Sequence, residues 1–301
     1  MRILLTGGRG FVGTTLREAL GSDHEIVAPS HAALDVTDAS AVDAVVASGR
    51  FDAIIHAAIQ GVEGVVEKTL RGFWNVARNA SRVGRVLYFG SGAEYGKQRD
   101  LVKVREEDIG RVVPLDPYGF AKLLCNEHAR RSGRIVNLRL FGVYGPHEGT
   151  LFRFISNTIA KALLGIRVAV KQDVVFDYLF ADDLAKIVRH VLGNGSVSPD
   201  LNVTPDESIS LREILAIVGG LAGPGFHASF EQEGLNFEYT GDNRLLRESV
   251  PGLAFTPYAD GIRKVWDHLV DRPDALDVEA LERDDFRARC RPRPAPPARK
   301  E

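Results

Sequence analysis

The chain opens on a short leucine-rich run, Arg2 to Thr6, and similar β-branched or leucine-rich runs return at Glu25 to Ala28, Asp52 to His56, Arg85 to Phe89 and Ile135 to Leu140. Apart from the last, which Asn137 and Arg139 interrupt, none alternates polar with apolar residues as a half-exposed strand does, so the set reads as strands covered on both faces. Stretches of helical spacing separate them, and strand alternating with helix predicts a doubly wound parallel α/β sheet with right-handed crossovers. Beyond residue 150 the order loosens. A helical stretch covers Phe152 to Leu164, an apolar run covers Val174 to Phe180, and turns fall at Val203-Thr204-Pro205 and Ala222-Gly223-Pro224-Gly225. The expected organisation is a core over residues 1–150 and a smaller C-terminal lobe, interleaved with it, over 151–270. Residues 271–301 carry charge and proline with little to bury, and are expected to form a disordered tail.

The first strand runs into Thr6-Gly7-Gly8-Arg9-Gly10-Phe11-Val12-Gly13 and then into a helical pattern, Thr14 to Leu20. Gly7 permits the tight turn, Gly10 lets backbone approach a pyrophosphate, and Gly13 allows close helix packing. Strand, glycine turn and helix in this order predict a Rossmann-type dinucleotide site, with the helix N-terminus facing the anion. A structural turn could use the same glycines, and the turn alone does not identify the chemistry. The second strand ends Ile26-Val27-Ala28-Pro29-Ser30-His31, without the acidic residue that would hold the ribose diol of NAD. Arg9 could instead pair with a 2′-phosphate, so NADP is favoured and NAD remains the alternative. Asp35 is a candidate for the adenine edge, and Asp38 for the cap of the next helix.

Composition narrows the partners. The chain has 301 residues, 45% of them hydrophobic, and a formal net charge of −2, so no global field draws it to nucleic acid or a membrane. Its two cysteines, Cys125 and Cys290, make no disulfide framework, and Cys125 reads as a buried thiol. No apolar stretch suits a signal peptide or a membrane span, so a cytoplasmic protein acting on a small molecule is expected, with no metal.

Tyr118 and Lys122 lie four residues apart, which places them on one face if Leu115-Asp116-Pro117 opens a helix. A cation one turn away favours the ionised form of a phenol and suits it to general acid or base work. Such a pair is also common on solvated helices. Ser91, following the strand Val86 to Gly90, strengthens the catalytic reading, because ligands bind at the carboxyl ends of parallel strands.

Thr6 to Gly13, Ile55-His-Ala-Ala58, Ser91-Gly-Ala-Glu-Tyr-Gly96, Tyr118-Gly-Phe-Ala-Lys122 and Arg139-Leu-Phe-Gly-Val-Tyr-Gly-Pro146 occur in one order. So do Phe176-Asp-Tyr-Leu-Phe-Ala-Asp-Asp183 and Phe255-Thr-Pro-Tyr-Ala-Asp-Gly261. Over residues 1–270 the chain resembles the extended short-chain dehydrogenase/reductases that act on nucleotide sugars. The resemblance implies a Ser91, Tyr118 and Lys122 triad, with a nucleotide sugar held largely by the C-terminal lobe. It extends the expected cofactor contacts from Gly7, Arg9, Gly10, Phe11, Val12 and Asp35 to Val36, Ala57, Ala58, Tyr118, Lys122, Phe141 and Val143. Gly92, Ala93, His147, Asp177 and Tyr178 become candidate substrate contacts.

Dehydratases of this family carry an Asp-Glu pair directly after the catalytic hydroxyl, where this chain has Gly92 and Ala93, neither able to transfer a proton. Epimerizing reductases pair a Cys with a His. His147 fits the histidine position, but Ala93 stands at the cysteine position, and His147 is equally read as a loop histidine. The expectation is an NADPH-dependent 4-keto reductase of a nucleotide-linked 6-deoxyhexose, with Tyr118 protonating the alkoxide and Ser91 stabilising it. The alternatives are an NAD-dependent 4-epimerase using the same triad and a non-catalytic nucleotide-binding protein. The family's usual Asn is Gly142 here, and its usual Arg is Phe176. A homodimer is expected, paired through the helices at Val66 to Ala80 and Tyr118 to Arg131.

Overall fold

The computed structural model describes residues 1–58, 63–193 and 197–293. The chain begins β1 (Arg2–Thr6), α1 (Phe11–Leu20), β2 (Glu25–Val27), α2 (Ala39–Gly49), β3 (Ala53–His56), α3 (Val65–Ala77) and β4 (Arg85–Ser91). It continues β5 (Leu101–Val104), α4 (Pro117–Ser132), β6 (Ile135–Leu140), β7 (Gly142–Tyr144), α5 (Phe154–Leu163), β8 (Val168–Asp173), β9 (Val175–Phe176) and β10 (Tyr178–Phe180). Next come α6 (Ala181–Gly193), β11 (Asp200–Val203), β12 (Ile209–Ser210), α7 (Leu211–Ala222), β13 (Ala228–Leu235) and β14 (Tyr239–Gly241). The last elements are α8 (Arg244–Ser249), α9 (Tyr258–Val270), α10 (Val278–Arg283) and α11 (Asp285–Arg289).

Every strand expected from the apolar runs lies in one six-stranded parallel sheet, ordered β11-β6-β4-β3-β1-β2. The runs are continuous because successive side chains enter two different cores. Ile3 and Leu5 of β1 join one buried cluster and Leu4 the opposite one, and Leu87 and Val86 of β4 divide in the same way. The edge strand β11 lies outside the expected set, since Asp200-Leu-Asn-Val203 is short and half polar. Chain direction across the sheet reverses at β1, which has β2 on one side and β3 on the other. The carboxyl ends of β1 and β3 therefore flank the crevice where such sheets bind ligands. Asp38 caps α2, its Oδ1 accepting from Ser40 N at 2.9 Å and Ala41 N at 3.0 Å.

The second lobe has its own apolar cluster, in which Ile155 and Ile159 of α5 meet Ile214 and Val218 of α7 and Ile262 and Val265 of α9. A smaller sheet, ordered β12-β9-β14-β5, joins it to the core, taking β5 from the middle of the core sequence. The apolar run Val174 to Phe180 is divided between β9 and β10, which pair with different partners.

The expected tail is a correction in part. Residues 272–293 fold against the lobe, whereas 294–301 lie outside the described residues. Leu281 of α10 is fully buried in the lobe cluster. The buried Lys161 of α5 reaches Asp284 at 2.7 Å, and Arg287 pairs with Glu231 at 2.7 Å. One well-placed leucine and ion pairs to the lobe suffice to order a segment whose composition alone reads as unfolded. Among the described residues no helix is long and apolar enough to cross a membrane.

Candidate active site

The glycine turn is a cradle set by close backbone approach. Gly7 has φ +75°, and a Cβ on it would lie 2.6 Å from Ala58 N. A Cβ on Gly13 would lie 2.1 Å from Gly7 O, so α1 can start this near the strand only with glycine there. Gly10 is the N-cap of α1 and supplies no side-chain hydrogen bond, which leaves the first N–H groups of the helix to a ligand. These features fit a dinucleotide pyrophosphate. Phe11 and Val12 are half-buried, with Phe11 against Gly145, and Ala57 and Ala58 form the opposite wall.

The distal end of the crevice carries cations. Arg9 and His31 are exposed. Hydrogen bonds from the Thr37 backbone and hydroxyl hold the Asp35 carboxyl below its ordinary range, helped by the charges of His31 and Lys68. Asp35 Oδ1 accepts from Thr37 N at 2.9 Å and Thr37 Oγ1 at 2.8 Å. Val36 is buried, and its carbonyl accepts from Asn75 Nδ2 at 2.9 Å.

At the carboxyl end of β4 the elements that carry the three expected catalytic residues meet, α4 bringing Tyr118 and Lys122 against the strand that ends in Ser91. Asp116 caps α4 by accepting from Gly119 N at 2.8 Å, with Pro117 in the first turn. That puts Tyr118 and Lys122 one turn apart, the Lys122 Nζ 5.7 Å from the centre of the Tyr118 ring. Lys122 is 4% exposed and donates to Phe89 O of β4 at 2.7 Å, which ties the helix to the strand that ends in Ser91. Gly119 allows this contact, because a Cβ there would lie 2.5 Å from Ala93 O. His56, at the end of β3, stays neutral. Burial and the Lys122 charge push it down to about 3, and its Nδ1 meets Thr6 Oγ1 at 2.7 Å.

Ser91 is held from below by a buried charge network. Its backbone N donates to Glu94 Oε1 at 2.8 Å, and Glu94 Oε2 accepts from Arg139 Nε at 2.7 Å. Arg139 is fully buried and also donates to Asp200 Oδ1 at 2.7 Å and Asn202 Oδ1 at 2.9 Å, both on β11. Burial pushes the Glu94 carboxyl up, and Arg139 opposes that shift. Gly90 makes room, since a Cβ on it would lie 2.3 Å from Asn137 Oδ1. Neither Glu94, inside the Ser91-to-Gly96 motif, nor Asp200 was an expected site residue. The signal was available in Ser91-Gly-Ala-Glu94, which reads as a capping box around the turn after β4.

An aromatic wall separates Ser91 from the lobe. Phe141 lies 5.0 Å from Tyr239, and Phe176 lies 5.2 Å from Tyr178 and 5.5 Å from Tyr239, centre to centre. The Phe141 side chain fills this wall, leaving no room for a Cβ at Gly92, which would lie 2.7 Å from its Cδ1, or at Gly241, which would lie 2.6 Å from its Cζ. Val143 packs against the main core, and Ala93 is 1% exposed.

Two expected substrate contacts are engaged elsewhere. His147 Nε2 meets Glu18 Oε2 at 2.8 Å, with its ring edge-on to His268. Asp177 is fully buried, and its carboxylate accepts from Ser208 Oγ at 2.5 Å, Gly241 N at 2.8 Å and Lys103 Nζ at 3.2 Å. It pins β10 to β14. Tyr178 is half-buried in the aromatic wall. Tyr239, absent from the sequence reading, belongs to the site by geometry alone.

The profile of the NAD dependent epimerase/dehydratase family matches residues 3–204, and the chain belongs to that family. It is an NAD(P)-dependent enzyme of the extended short-chain dehydrogenase/reductase type. It is 27% identical over 286 residues to a UDP-glucose 4-epimerase of Azospirillum brasilense, across 76% of this chain and 80% of that one. It is 26% identical over 272 residues to UDP-glucuronic acid decarboxylase 1 of Xenopus tropicalis, across 77% of this chain but 63% of that relative's length. Among solved structures, the Bordetella bronchiseptica enzyme WbmG in complex with NAD superposes with a TM-score of 0.78 at 22% identity, covering 92% of this chain and 96% of that one. The NADP-bound GDP-mannoheptose C4 reductase MlghC of Campylobacter jejuni superposes with a TM-score of 0.77 at 18% identity, covering 89% and 98%.

Proposed function

We propose that the protein is an NADPH-dependent reductase of the 4-keto group of a nucleotide-linked 6-deoxyhexose. The observation that carries this reading is the chemistry beside Ser91. Gly92 and the buried Ala93 offer no acid or base for removing water, while Ser91, Tyr118 and Lys122 suffice to protonate an alkoxide. The cofactor, seated on Gly7 to Gly13, supplies a hydride to C4 when bound. Lys122, anchored on Phe89 O, holds the nicotinamide ribose and the Tyr118 phenol in register. Ser91 donates to the carbonyl oxygen, and Tyr118 delivers the proton to it as negative charge develops.

Arg9, exposed in the glycine turn, and His31 and Lys68 near Asp35, with no acid at the end of β2, favour the 2′-phosphate of NADP over NAD. The lobe around α5, α7 and α9 holds the nucleotide sugar. Exposed Trp74 on α3 and Phe120 and Leu124 on α4 support a homodimer that covers these helices.

The test is mass spectrometry of reactions with NADPH and UDP-, GDP-, CDP- or dTDP-linked 4-keto-6-deoxyhexoses. One of these sugars should gain two hydrogens. A panel that stays unchanged would end the ketoreductase reading. The similarity to a UDP-glucose 4-epimerase favours a second reading, in which the same triad oxidises and re-reduces C4 on a tightly held NAD⁺.

A further inference from the structure

We propose that Tyr88 is a positioning residue for Lys122: the face of its buried ring seats the lysine ammonium at the carboxyl end of β4. What the ammonium does there rests on the reading above, in which it holds the nicotinamide ribose and the Tyr118 phenol in register. The seat itself does not.

Lys122 is 4% exposed, and its partners among the described residues are the Phe89 carbonyl at 2.7 Å and two aromatic rings, with no carboxylate. Its Nζ lies 4.5 Å from the centre of the Tyr88 ring and 5.7 Å from that of Tyr118. An ammonium removed from water needs more compensation than one neutral hydrogen bond gives. The negative face of an aromatic ring supplies it, and the attraction is strongest where water is excluded. Tyr88 is 1% exposed.

β4 thus builds the seat from two consecutive residues, the ring of Tyr88 and the carbonyl of Phe89. The ring is fixed by its neighbours. His56, its register partner on β3, stacks on it at 6.0 Å between centres, and Phe73 of α3 meets it at 4.8 Å with 63° between the planes. Because His56 stays neutral, no second cation competes for the ring. The Tyr88 hydroxyl, beside the Cys125 thiol, makes no well-formed hydrogen bond among the described residues. The ring is therefore the working part of this side chain.

A ring does here what a carboxylate could not. A carboxylate beside Lys122 would cancel the positive field that favours the ionised form of Tyr118, and it would compete with a ribose for the protons of the ammonium. A ring attracts the ammonium through its quadrupole and carries no net charge, so that field stays in place.

The experiment changes the electron density of the ring with little change in its shape. Tyr88→Phe, and phenylalanine analogues at the same position with one, two or three ring fluorines, are made in the wild-type chain and together with Lys122→Met. Denaturant midpoints and NADPH and NAD⁺ titrations are measured for every variant. Turnover is measured with NADPH and dTDP-4-keto-6-deoxyglucose, and in parallel with NAD⁺ and UDP-galactose. Tyr88→Phe should match wild type. Each added fluorine should then lower the midpoint and weaken NADPH, reaching about tenfold in affinity at three, the size of one desolvated cation–π contact, with kcat falling alongside. Combined with Lys122→Met the series should be flat, because the ring has no ammonium to hold. A flat series in the wild-type chain, equal slopes in both backgrounds, or graded midpoints with cofactor affinity and kcat unmoved would overturn the proposal. Activity on UDP-galactose alone would overturn the ketoreductase reading, while the cofactor titrations across the series still decide the role of Tyr88. A wild type that binds neither cofactor would overturn both.

Discussion

The ring of Tyr178 occupies the volume that any side chain at residue 142 would need: a Cβ on Gly142 would lie 2.7 Å from its Cδ1. The two departures from the family pattern, glycine at 142 and Phe176 two residues before Tyr178, are thereby one feature, an aromatic layer facing Ser91. Restoring the amide by Gly142→Asn should displace Tyr178 and cost about 1–3 kcal/mol of stability as overpacking. Combining it with Tyr178→Ala should recover part of that loss. Denaturant midpoints of the single and double variants check it, and a Gly142→Asn enzyme as stable as wild type would show that the ring yields freely.

Tyr118→Phe should reduce kcat by about 10²-fold or more with cofactor affinity retained, as expected for loss of a general acid. Lys122→Met should reduce turnover and cofactor affinity together and lower Tm as well, because it also removes the bond to Phe89 O. Steady-state kinetics and cofactor titrations separate the two patterns.

Arg9→Ala should weaken NADPH about tenfold or more while leaving NADH nearly unchanged, the difference belonging to one charge-assisted pair. Equal weakening of both cofactors in fluorescence titrations would remove Arg9 as the 2′-phosphate ligand.

Glu148 is buried and takes the Ser156 hydroxyl at 2.5 Å, and burial pushes its carboxyl up to about 7. The folded state then holds a proton that the unfolded chain, with an ordinary value of 4.5, releases. Stability from this group is full below that value and falls as pH rises through about 7, by roughly 3 kcal/mol in all. Glu148→Gln should flatten the fall in thermal stability between about pH 5 and pH 8. An unchanged slope would mean that Glu148 ionises normally.

Trp74, 43% exposed, lies 4.3 Å from His128 across α3 and α4, with Leu124 exposed on α4. Trp74→Glu should turn a dimer into a monomer by light scattering. A wild-type protein that is monomeric at all concentrations would exclude this interface.

Much of the core was legible because its strands are covered on both faces, so apolar runs such as Ile3 to Leu5 carry no ambiguity of side. Glycine turns and caps were legible because their chemistry is local, as at Gly7 and Asp116. What depends on long-range contact was not. Asp177 matched a motif but spends its oxygens inside the protein, and Tyr239 meets Phe141 only because β14 pairs with a strand remote in sequence. The segment at Leu281 failed for the same reason, since its partners on α5 are invisible to composition.

The central claim is hydride delivery to a C4 ketone with release of the oxidised cofactor. It is tested most directly by incubating the enzyme with NADPH deuterated at the transferable position and the accepted 4-keto sugar, then locating the label by NMR. Deuterium at C4 of the product, with one NADP⁺ released per label, is the predicted result. Enzyme that carries tightly bound NAD⁺, inverts a non-keto nucleotide sugar at C4 and takes up no label from solution would contradict it.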